Sequence, residues 1–288
     1  MRAQSSRANG IRLPLFALYG ERAVTRGTSA GHSLPALYAR TRASDNAMGT
    51  SRLRCLRRDV AAAMMLLVSG ATATVRRYAS HPMLGRLIQP RSGNDIGEIA
   101  SCGMRWAADN DCFQGLNERA YTAMLNQFAL VDRSRLLFVT APDVVADKRA
   151  TLALFASWQS RLEMRQLPIA FVAQDELVPD EVPWLSIDAL FIGGSTAWKL
   201  SHAVDWLIAS AQQRGVWVHI GRVNSRRRLS HFDAIGADSF DGTQFSMYPD
   251  TYIPRCLARL EYHQHPLGGS DDTNQATSLR AVSCRADE

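Results

Sequence analysis

The chain has few cysteines for its length and no closely spaced cysteine pair. Its 288 residues include five cysteines, an odd number, with no CxxC motif among them. A disulfide framework is therefore not expected, because such frameworks use even sets of cysteines at recurrent spacings. This cysteine usage is typical of proteins in a reducing compartment, and we predict a cytoplasmic location.

Long apolar runs are also absent from the sequence. The most hydrophobic stretch is VAAAMMLLV, from Val60 to Val68. A membrane-spanning helix needs ~20 apolar residues, so this run is too short to cross a bilayer. It also lies too far from Met1 to be the core of an ordinary signal peptide. We predict no membrane partner and assign the run to a buried strand or helix.

Lysine is scarce throughout, and acidic residues are scarce in one segment. Lys148 and Lys199 are the only lysines, and the other 31 basic residues are arginines. A GC-rich genome accounts for this bias most simply; selection for bidentate phosphate binding by arginine is the alternative. Residues 1–79 carry a net charge of +10, whereas residues 80–288 carry −4. The overall charge of +6 is therefore weak support for nucleic-acid binding by the folded body.

The arginine-rich segment 1–58 differs from the rest of the chain. It is rich in Arg, Ser, Ala and Gly and has no sustained hydrophobic period. Such a segment buries too little apolar surface to offset the entropy of ordering it, so we predict that it is disordered. It is a basic arm for nucleic acid, an organellar transit peptide, or an upstream extension outside the native protein. We favour the third, because Met64 or Met65 offers a start just before the first predicted strand.

From residue 60 onward, short apolar runs alternate with stretches of helical period. The runs that end in polar or glycine residues are MLLVSG (65–70), GRLIQP (85–90), RWAAD (105–109), LLFVTAPD (136–143), PIAFVAQD (168–175), DALFIGG (188–194), VWVHIG (216–221) and ADSFDG (237–242). Periodicity predicts helices over 147–165, 196–213 and 224–235. Eight strands that are apolar on both faces and alternate with helices favour a closed (β/α)₈ TIM-type barrel over residues 60–262. The polar residues 263–288 predict a disordered tail.

Polar side chains stand where these predicted strands end. In barrels of this class the chemistry collects at the C-terminal ends of the strands. The residues at those ends are Asp109, Asp143, Gln174, Gly193, Gly194, His219 and Asp241. Any one aspartate is explained by capping of the following helix, but three on one rim favour a site. His219 either lines that site or is a satisfied core histidine.

Five motifs occur in order between residues 105 and 245. They are ADNDCFQ (108–114), APD (141–143), VAQD (172–175), FIGG (191–194) and GADSFDGT (236–243). This ordered set resembles the tRNA-guanine transglycosylase superfamily, in which DSGGFQ stands where ADNDCFQ stands here. The runs FIGGSTAWK (191–199) and GRVNSRRR (221–228) are closer still to its DNA-modifying branch, the deazaguanine (deoxypurine-in-DNA protein A-like) transglycosylases of phages and bacteria.

The resemblance implies an activity and two catalytic residues. The implied reaction replaces guanine in DNA with a 7-deazaguanine, such as the 7-cyano form. Asp241 falls at the position of the nucleophile that attacks C1′ and forms a covalent glycosyl-enzyme, and Asp109 falls at that of the acid/base. This chemistry resembles that of retaining glycosidases and needs no redox or organic cofactor.

The resemblance also implies the residues that bind the base. Asp143 and Gln174 would bind the polar edge of the purine, and Gly193 and Gly194 would let the backbone approach it closely. Aspartate supplies acceptors and glutamine a donor and an acceptor, which suits guanine. The incoming partner is the free 7-deazaguanine base.

Two departures from the family pattern bear on the substrate. The members that act on tRNA carry a CxCxxC…H zinc site, whereas this chain has Cys256 followed by His263 and His265, too few ligands for such a site. The chain is also too short for the zinc-bearing subdomain. We therefore predict no metal and favour DNA over tRNA. Asp111 and Cys112 replace glycines of DSGGFQ, which leaves the local loop shape open.

The run GRVNSRRR follows the seventh predicted strand, where barrels often bind phosphate. Asn224 or Ser225 caps the following helix in this interpretation, and the basic residues around them face a nucleic-acid backbone. The predicted phosphate contacts are Arg222, Asn224, Ser225, Arg226 and Arg227, with Arg228 beside them. The alternative is a solvated basic helix start, which the helix dipole disfavours. A nucleotide in DNA must be flipped out or single-stranded to reach such a pocket.

Two other functions remain open from the sequence. One is a barrel hydrolase that cleaves an N-glycosidic bond with water. The other is a family member that binds nucleic acid or a base without turnover. The sequence does not determine the oligomeric state.

Overall fold

The computed structural model describes residues 64–91 and 96–264. Eight parallel strands close into a barrel in sequence order, with the last strand paired to the first. The strands are β1 (Met65–Val68), β2 (Leu84–Ile88), β3 (Arg105–Ala108), β4 (Leu136–Thr140), β5 (Ile169–Ala173), β6 (Ala189–Ile192), β7 (Trp217–Ile220) and β8 (Ser239–Phe240). The predicted TIM-type barrel is confirmed; seven strands lie inside their predicted runs, and β2 begins one residue before its run.

Helices occupy the connections between the strands. They are α1 (Ala73–Arg77), α2 (Ile96–Ser101), α3 (Glu118–Gln127), α4 (Lys148–Glu163), α5 (Thr196–Lys199), α6 (His202–Gln213), α7 (Arg226–Ala234), α8 (Thr243–Met247) and α9 (Pro249–Gln264). The helix predicted over 196–213 is two helices. Ser201 breaks it, because its hydroxyl donates to the carbonyl of Trp198 at 2.7 Å and its own backbone is extended.

Alternate residues of the strands face two different cores. One set points into the barrel, where Met65, Leu67, Phe138 and Trp217 pack together. The other set, including Leu66, points outward and packs against the helices. Both faces are buried, which is why these strands are continuous apolar runs with no polar alternation. Apolar side chains thus fill the barrel interior, and the site lies at the C-terminal ends of the strands.

Left-handed backbone recurs at the C-terminal rim of the barrel. The loop that follows each of β3 to β7 contains a residue with φ between 56° and 65°: Asp111, Ala146, Glu176, Gly194 and Arg222, in that order. Four of the five are not glycine, and non-glycine residues adopt this region at a cost of roughly 1–2 kcal/mol each. Strained backbone of this kind is found most often at functional sites, where the surrounding structure stabilises it.

The predicted domain limits are largely outside the described residues. Residues 1–58, the barrel residues 60–63 and most of the tail are not among them. The last described helix, α9, ends at Gln264, so the predicted tail of residues 263–288 lies almost wholly outside the described residues. Among the helices that are described, none has both the length and the apolar character needed to cross a bilayer.

Candidate active site

A cavity of about 440 Å³ opens at the C-terminal ends of the strands. This volume lies within the range of small-molecule sites. Its walls combine apolar residues such as Leu67, Val172 and Phe191 with polar side chains from loops around the rim. The polar side chains that line it include Gln89, Asp109, Asn110, Asp143, Gln174 and Asp241. Four of the five polar residues predicted at strand ends therefore line this one cavity, and His219 is the exception.

Asp109 follows β3 and holds a carboxylate deep in this cavity. Its Oδ2 accepts from the Gln89 amide at 3.0 Å, and its Oδ1 accepts from the backbone N–H of Asn110 at 2.9 Å. Burial, with smaller contributions from Asp241 and Asp143, raises the pKa of Asp109 to about 7. A carboxyl group with this pKa exists in both protonation states near neutral pH, as an acid/base requires.

Asp143 is clamped between two side-chain amides. The Asn110 amide donates to its Oδ1 at 2.7 Å, and the Gln174 amide donates to its Oδ2 at 2.6 Å. The second N–H of Asn110 donates to the carbonyl of Ala141 at 2.7 Å. Asp143 is only 8% exposed, and burial raises its pKa above the usual range of an aspartate. The carboxylate is thus fixed in direction, with its remaining acceptor capacity available to a ligand in the cavity.

Gln174 connects three loops. Besides binding Asp143, its Oε1 accepts from the backbone N–H groups of Ala146 at 2.9 Å and Gly194 at 3.0 Å. With 2% exposure, it keeps one N–H for a ligand. The predicted contact of Gln174 with the base is therefore limited to that single donor, and most of its hydrogen bonds hold the rim together.

The glycine pair after β6 lies against Gln174. A Cβ on Gly193 would lie 2.8 Å from a methyl of Val172 and 3.0 Å from Gln174 Nε2. Gly194 has φ +65°, and its Cβ would lie 2.3 Å from Asp175 Oδ1. No larger residue fits either position, which explains the pair in physical terms. Both glycines line the cavity, so backbone groups form this part of its wall.

Asp241 follows β8 and is held from below by a histidine. His219 Nε2 lies 3.1 Å from Asp241 Oδ2, and its Nδ1 lies 2.9 Å from the hydroxyl of Ser239. The indole N–H of Trp217 donates to the same hydroxyl at 2.8 Å. The serine proton can then go to Nδ1, which leaves Nε2–H to donate to Asp241. The chain Trp217–Ser239–His219 thus orients one carboxylate oxygen.

His219 differs in placement from its prediction as a substrate-binding residue. Its side chain is 0% exposed, and its ring packs against Phe138 and Phe191 beneath the cavity. Both ring nitrogens are occupied by Ser239 and Asp241. His219 therefore acts on the site through Asp241, as a buried histidine with satisfied hydrogen bonds.

Arg222 crosses the cavity mouth. Its backbone N–H donates to Asp241 Oδ1 at 3.1 Å, and its guanidinium donates to the carbonyl of Gly194 at 2.6 Å. The guanidinium carbon also lies 5.3 Å from the centroid of the Phe113 ring, which is 67% exposed at the rim. The Arg222 guanidinium thus makes one hydrogen bond within the protein, and its contact with a phosphate stays a prediction. The exposed ring beside it is a surface on which a base can stack.

The predicted phosphate contacts beyond Arg222 surround the start of α7. Ser225 caps this helix, because its hydroxyl accepts from the backbone N–H of Arg228 at 3.3 Å. Asn224 is not the cap; its amide donates to Thr243 at 3.0 Å and ties the β7 and β8 loops together. Arg226 and Arg227 are exposed.

Lys199 is a buried cation that the sequence analysis assigns no role. It ends α5, is 1% exposed, and donates to the carbonyl of Gly221 at 2.6 Å. Burial and the neighbouring Arg222 lower its pKa to about 8. Gln89 and Asn110 are the other contributors to the site that the sequence analysis does not single out. Each is a polar residue directly beyond a predicted strand, which is the signal that identifies them.

The loop after β3 has left-handed backbone at a residue that is not glycine. Asp111, which replaces a glycine of DSGGFQ, has φ 56° and ψ 32°. Aspartate tolerates this region better than most residues. The Asn110 side chain accepts from the backbone N–H of Cys112 at 2.8 Å and closes the turn. The substitution therefore leaves the turn formed and Asp109 aimed at the cavity.

Within the described ranges, no three His, Cys, Asp or Glu side chains are grouped so that they could hold a metal ion. Cys256, the one cysteine after the last strand whose structure is described, is buried in α9. The side chains of His263 and His265 lie outside the described residues.

Comparison with known proteins adds only fold likeness. No protein-family model and no curated protein sequence match the chain. An HpcH/HpaI aldolase from Desulfitobacterium hafniense DCB-2 is 11% identical, with TM-score 0.40, over 69% of this chain and 92% of that one. A mandelate oxidase variant with an FMN adduct is 13% identical, with TM-score 0.47, over 71% and 74%. The YdjI aldolase from Escherichia coli K12 is 10% identical, with TM-score 0.46, over 75% and 92%.

Proposed function

We propose that this chain is a base-exchange transglycosylase that replaces guanine in DNA with a 7-deazaguanine through a covalent aspartyl-glycosyl intermediate. One observation carries the proposal: Asp109 and Asp241 face one cavity in opposite environments. Burial raises the pKa of Asp109 to about 7, whereas Asp241 lies beside the imidazole of His219 and near the ammonium of Lys199. Two carboxylates made different in this way can divide the roles of acid/base and nucleophile. The motif resemblance described above supports the same assignment.

In the first step, a carboxylate oxygen of Asp241 attacks C1′ of the target nucleotide. The C1′–N9 bond breaks as the new C–O bond forms, and the protonated Asp109 gives its proton to the departing guanine. The product is free guanine and a deoxyribosyl ester on Asp241. Dividing one difficult substitution into two displacements at C1′ is the advantage of a covalent nucleophile.

The second step reverses the first with a different base. The 7-deazaguanine enters the cavity, and the ionised Asp109 takes the proton from its N9. N9 then attacks C1′, the ester bond to Asp241 breaks, and the carboxylate is regenerated. Asp109 ends protonated, ready for the next turnover, and a group positioned in this way contributes about 10²–10⁴-fold in rate.

The wall formed by β3, β4 and β5 supplies base recognition. Asp143 presents an acceptor fixed by Asn110 and Gln174, and Gln174 keeps one N–H. An acceptor beside a donor matches the N–H and carbonyl groups on the polar edge of guanine and its deaza analogues. Val172 and Phe191 line the apolar part of the cavity, which suits the faces of a flat heterocycle.

The proposal is tested by incubating the protein with DNA and 7-cyano-7-deazaguanine, followed by digestion to nucleosides and mass spectrometry. We expect the deaza-nucleoside with the wild type and with the surface control Asp180→Ala, and none with Asp241→Ala. We also expect a labelled DNA–protein adduct to survive denaturation when the wild type is quenched during turnover.

Other results identify the alternatives. Guanine release without added deazaguanine would indicate a hydrolase. DNA or base binding that is the same in the wild type and Asp241→Ala, with no exchange in either, would indicate a binding protein. Base exchange in tRNA, with none in DNA, would show that the substrate is tRNA.

A further inference from the structure

We propose that Lys199 is a positioning residue for the nucleophile, which holds the Gly221–Arg222 peptide in the orientation that donates a hydrogen bond to Asp241. This inference rests on the proposed function in assigning Asp241 as the nucleophile. It adds a role for the one buried lysine of the chain, which neither step of the reaction uses.

The geometry joins Lys199 to Asp241 through a single peptide group. Lys199 Nζ donates to the carbonyl of Gly221 at 2.6 Å, and the N–H of Arg222 donates to Asp241 Oδ1 at 3.1 Å. The carbonyl of Gly221 and the N–H of Arg222 belong to the same peptide, which is planar. A hydrogen bond at one end of this plane therefore fixes the direction of the donor at the other end. The charged donor also polarises the peptide, which strengthens its N–H as a donor.

The backbone at this peptide needs an external constraint. Arg222 has φ +61°, a region that a residue with a side chain adopts only when its surroundings require it. Gly221 lies so close to Phe191 that a Cβ would be 2.6 Å from the ring. Packing thus limits the peptide on one side, and the lysine ammonium holds its carbonyl on the other.

The choice of residue type supports a specific role. The chain uses arginine at 31 of its 33 basic positions, yet a lysine occupies this one and is 1% exposed. An ammonium is compact and can point all its charge at one carbonyl, whereas a guanidinium is a wide planar fork. Burying a cation is costly unless it is well bonded, and the hydrogen bond from Lys199 to the Gly221 carbonyl at 2.6 Å offsets part of that cost.

Asp241 is then fixed at both oxygens from two directions. His219 holds Oδ2 from inside the barrel, and the peptide held by Lys199 holds Oδ1 from the rim. Two such bonds define the plane of the carboxylate. In-line attack on C1′ requires that plane to be correct, and small errors in the position of a reacting group reduce rates strongly. Removal of Lys199 is therefore expected to slow chemistry while base recognition, on the opposite wall, is unchanged.

The test uses the only two lysines as a matched pair. Lys199→Met removes the ammonium and keeps the length of the side chain, and Lys148→Met removes the surface lysine that pairs with Glu181 at 2.8 Å. With the wild type shown to exchange bases, we expect kcat to fall about 10- to 100-fold in Lys199→Met, with KM for the deazaguanine within twofold. Lys148→Met should match the wild type in both. Equal kcat in the two variants, or a loss confined to KM, would overturn the proposal.

Crystal structures of the variants test the geometry without any activity. We expect the Arg222 N to Asp241 Oδ1 distance to exceed hydrogen-bond range in Lys199→Met. Lys199→Gln, which retains a neutral donor, should keep part of the contact and part of kcat, and it serves if the methionine variant does not fold. An unmoved peptide in a folded variant, or failure of both variants to fold, would overturn the positioning role. A wild type without exchange whose peptide still moves in the variant would instead refute only the proposed function.

Discussion

The two halves of the cavity treat their carboxylates in opposite ways. On the β3–β5 side, Asp109 and Asp143 are bonded to neutral amides, and burial raises the pKa of both. On the β7–β8 side, Asp241 is flanked by an imidazole and a backbone N–H, with Arg222 and Lys199 close by. Burial in the first half favours carboxyl groups that keep a proton, whereas the second half places a histidine and cationic side chains around Asp241.

This difference shows how one barrel end can supply two roles from one residue type. In the proposed reaction this side chain serves as the acid/base at Asp109, where burial raises its pKa. It serves as the nucleophile at Asp241, which the His219 imidazole and the Arg222 N–H orient. The division follows strand order, because each aspartate stands at the end of a different strand.

The same division extends to the outer surface. Beyond β7 the rim continues into the exposed arginines that begin α7, Arg226 and Arg227. Beyond β3 it continues into the turn at Asp111, which pairs with Arg91 at 3.1 Å. We infer that a nucleic-acid backbone would approach over the β7–β8 half while the base enters the β3–β5 half.

Among the changes that test this difference between the two halves, we expect Asp109→Asn to have the largest effect on kcat. The asparagine keeps the size of the side chain and the hydrogen bond from the Asn110 N–H, but it cannot carry a proton between bases. We expect kcat for exchange to fall about 10²–10⁴-fold, the usual range for loss of an acid/base. Binding of the deazaguanine, measured by calorimetry, should be nearly unchanged because Asp143 is intact.

Asp147→Asn is the control for this change. Asp147 caps α4 by accepting from the backbone N–H of Ala150 at 2.9 Å, and asparagine caps equally well. An exchange rate in Asp109→Asn within threefold of that in Asp147→Asn would remove Asp109 from the mechanism.

A smaller effect is expected on stability, and its dependence on pH has a defined sign. The folded state keeps the Asp109 proton up to a pKa of about 7, whereas the unfolded carboxyl loses it near the ordinary aspartate pKa of 3.8. Stability due to this group therefore falls as the pH rises between these values, and the loss is complete above the folded pKa. The side chain of Asp109→Asn does not titrate, so the variant does not lose stability in this way as the pH rises.

The melting temperature of Asp109→Asn should accordingly exceed that of the wild type more at pH 8 than at pH 4. In a domain of this size, each kcal/mol of change in the free energy of unfolding shifts the melting temperature by about 2–4 °C. Differential scanning calorimetry at both values, with Asp147→Asn alongside, measures it. A difference that is constant with pH would mean that Asp109 titrates normally.

The sequence predicts the barrel well for a physical reason. Parallel strands buried on both faces are continuous apolar runs, and each one ends at a polar or glycine residue that is visible in the sequence. The helices are less exact, because the break at Ser201 depends on a hydroxyl contact with the carbonyl of Trp198. Periodicity alone shows no such contact.

The candidate site is predicted in part. Asp109, Asp143, Gln174 and Asp241 follow from their places at strand ends. The burial of His219 and the hydrogen bonds of Asn110 and Gln174 depend on which strands are neighbours and how they are staggered, and the chain order does not show this. Lys199 stands in the helical stretch after the glycine pair, and its contact with Gly221 appears only when β6 and β7 lie side by side.

The smallest effect is expected from the basic start of α7. Replacing Arg226 and Arg227 together with glutamine removes two charges from the β7–β8 half and leaves the cavity unchanged. Each phosphate contact with duplex DNA contributes roughly 0.9 to the slope of log affinity against log salt, so the slope should fall by about 1.8. Arg135→Gln with Arg214→Gln removes the same charge before β4 and β7, at the opposite end of the barrel. Fluorescence anisotropy with labelled DNA over a salt series measures both pairs. If both double variants show the same salt dependence of affinity, the nucleic-acid backbone lies elsewhere. If the salt dependence is weaker only when Arg226 and Arg227 are replaced, the backbone lies over this half.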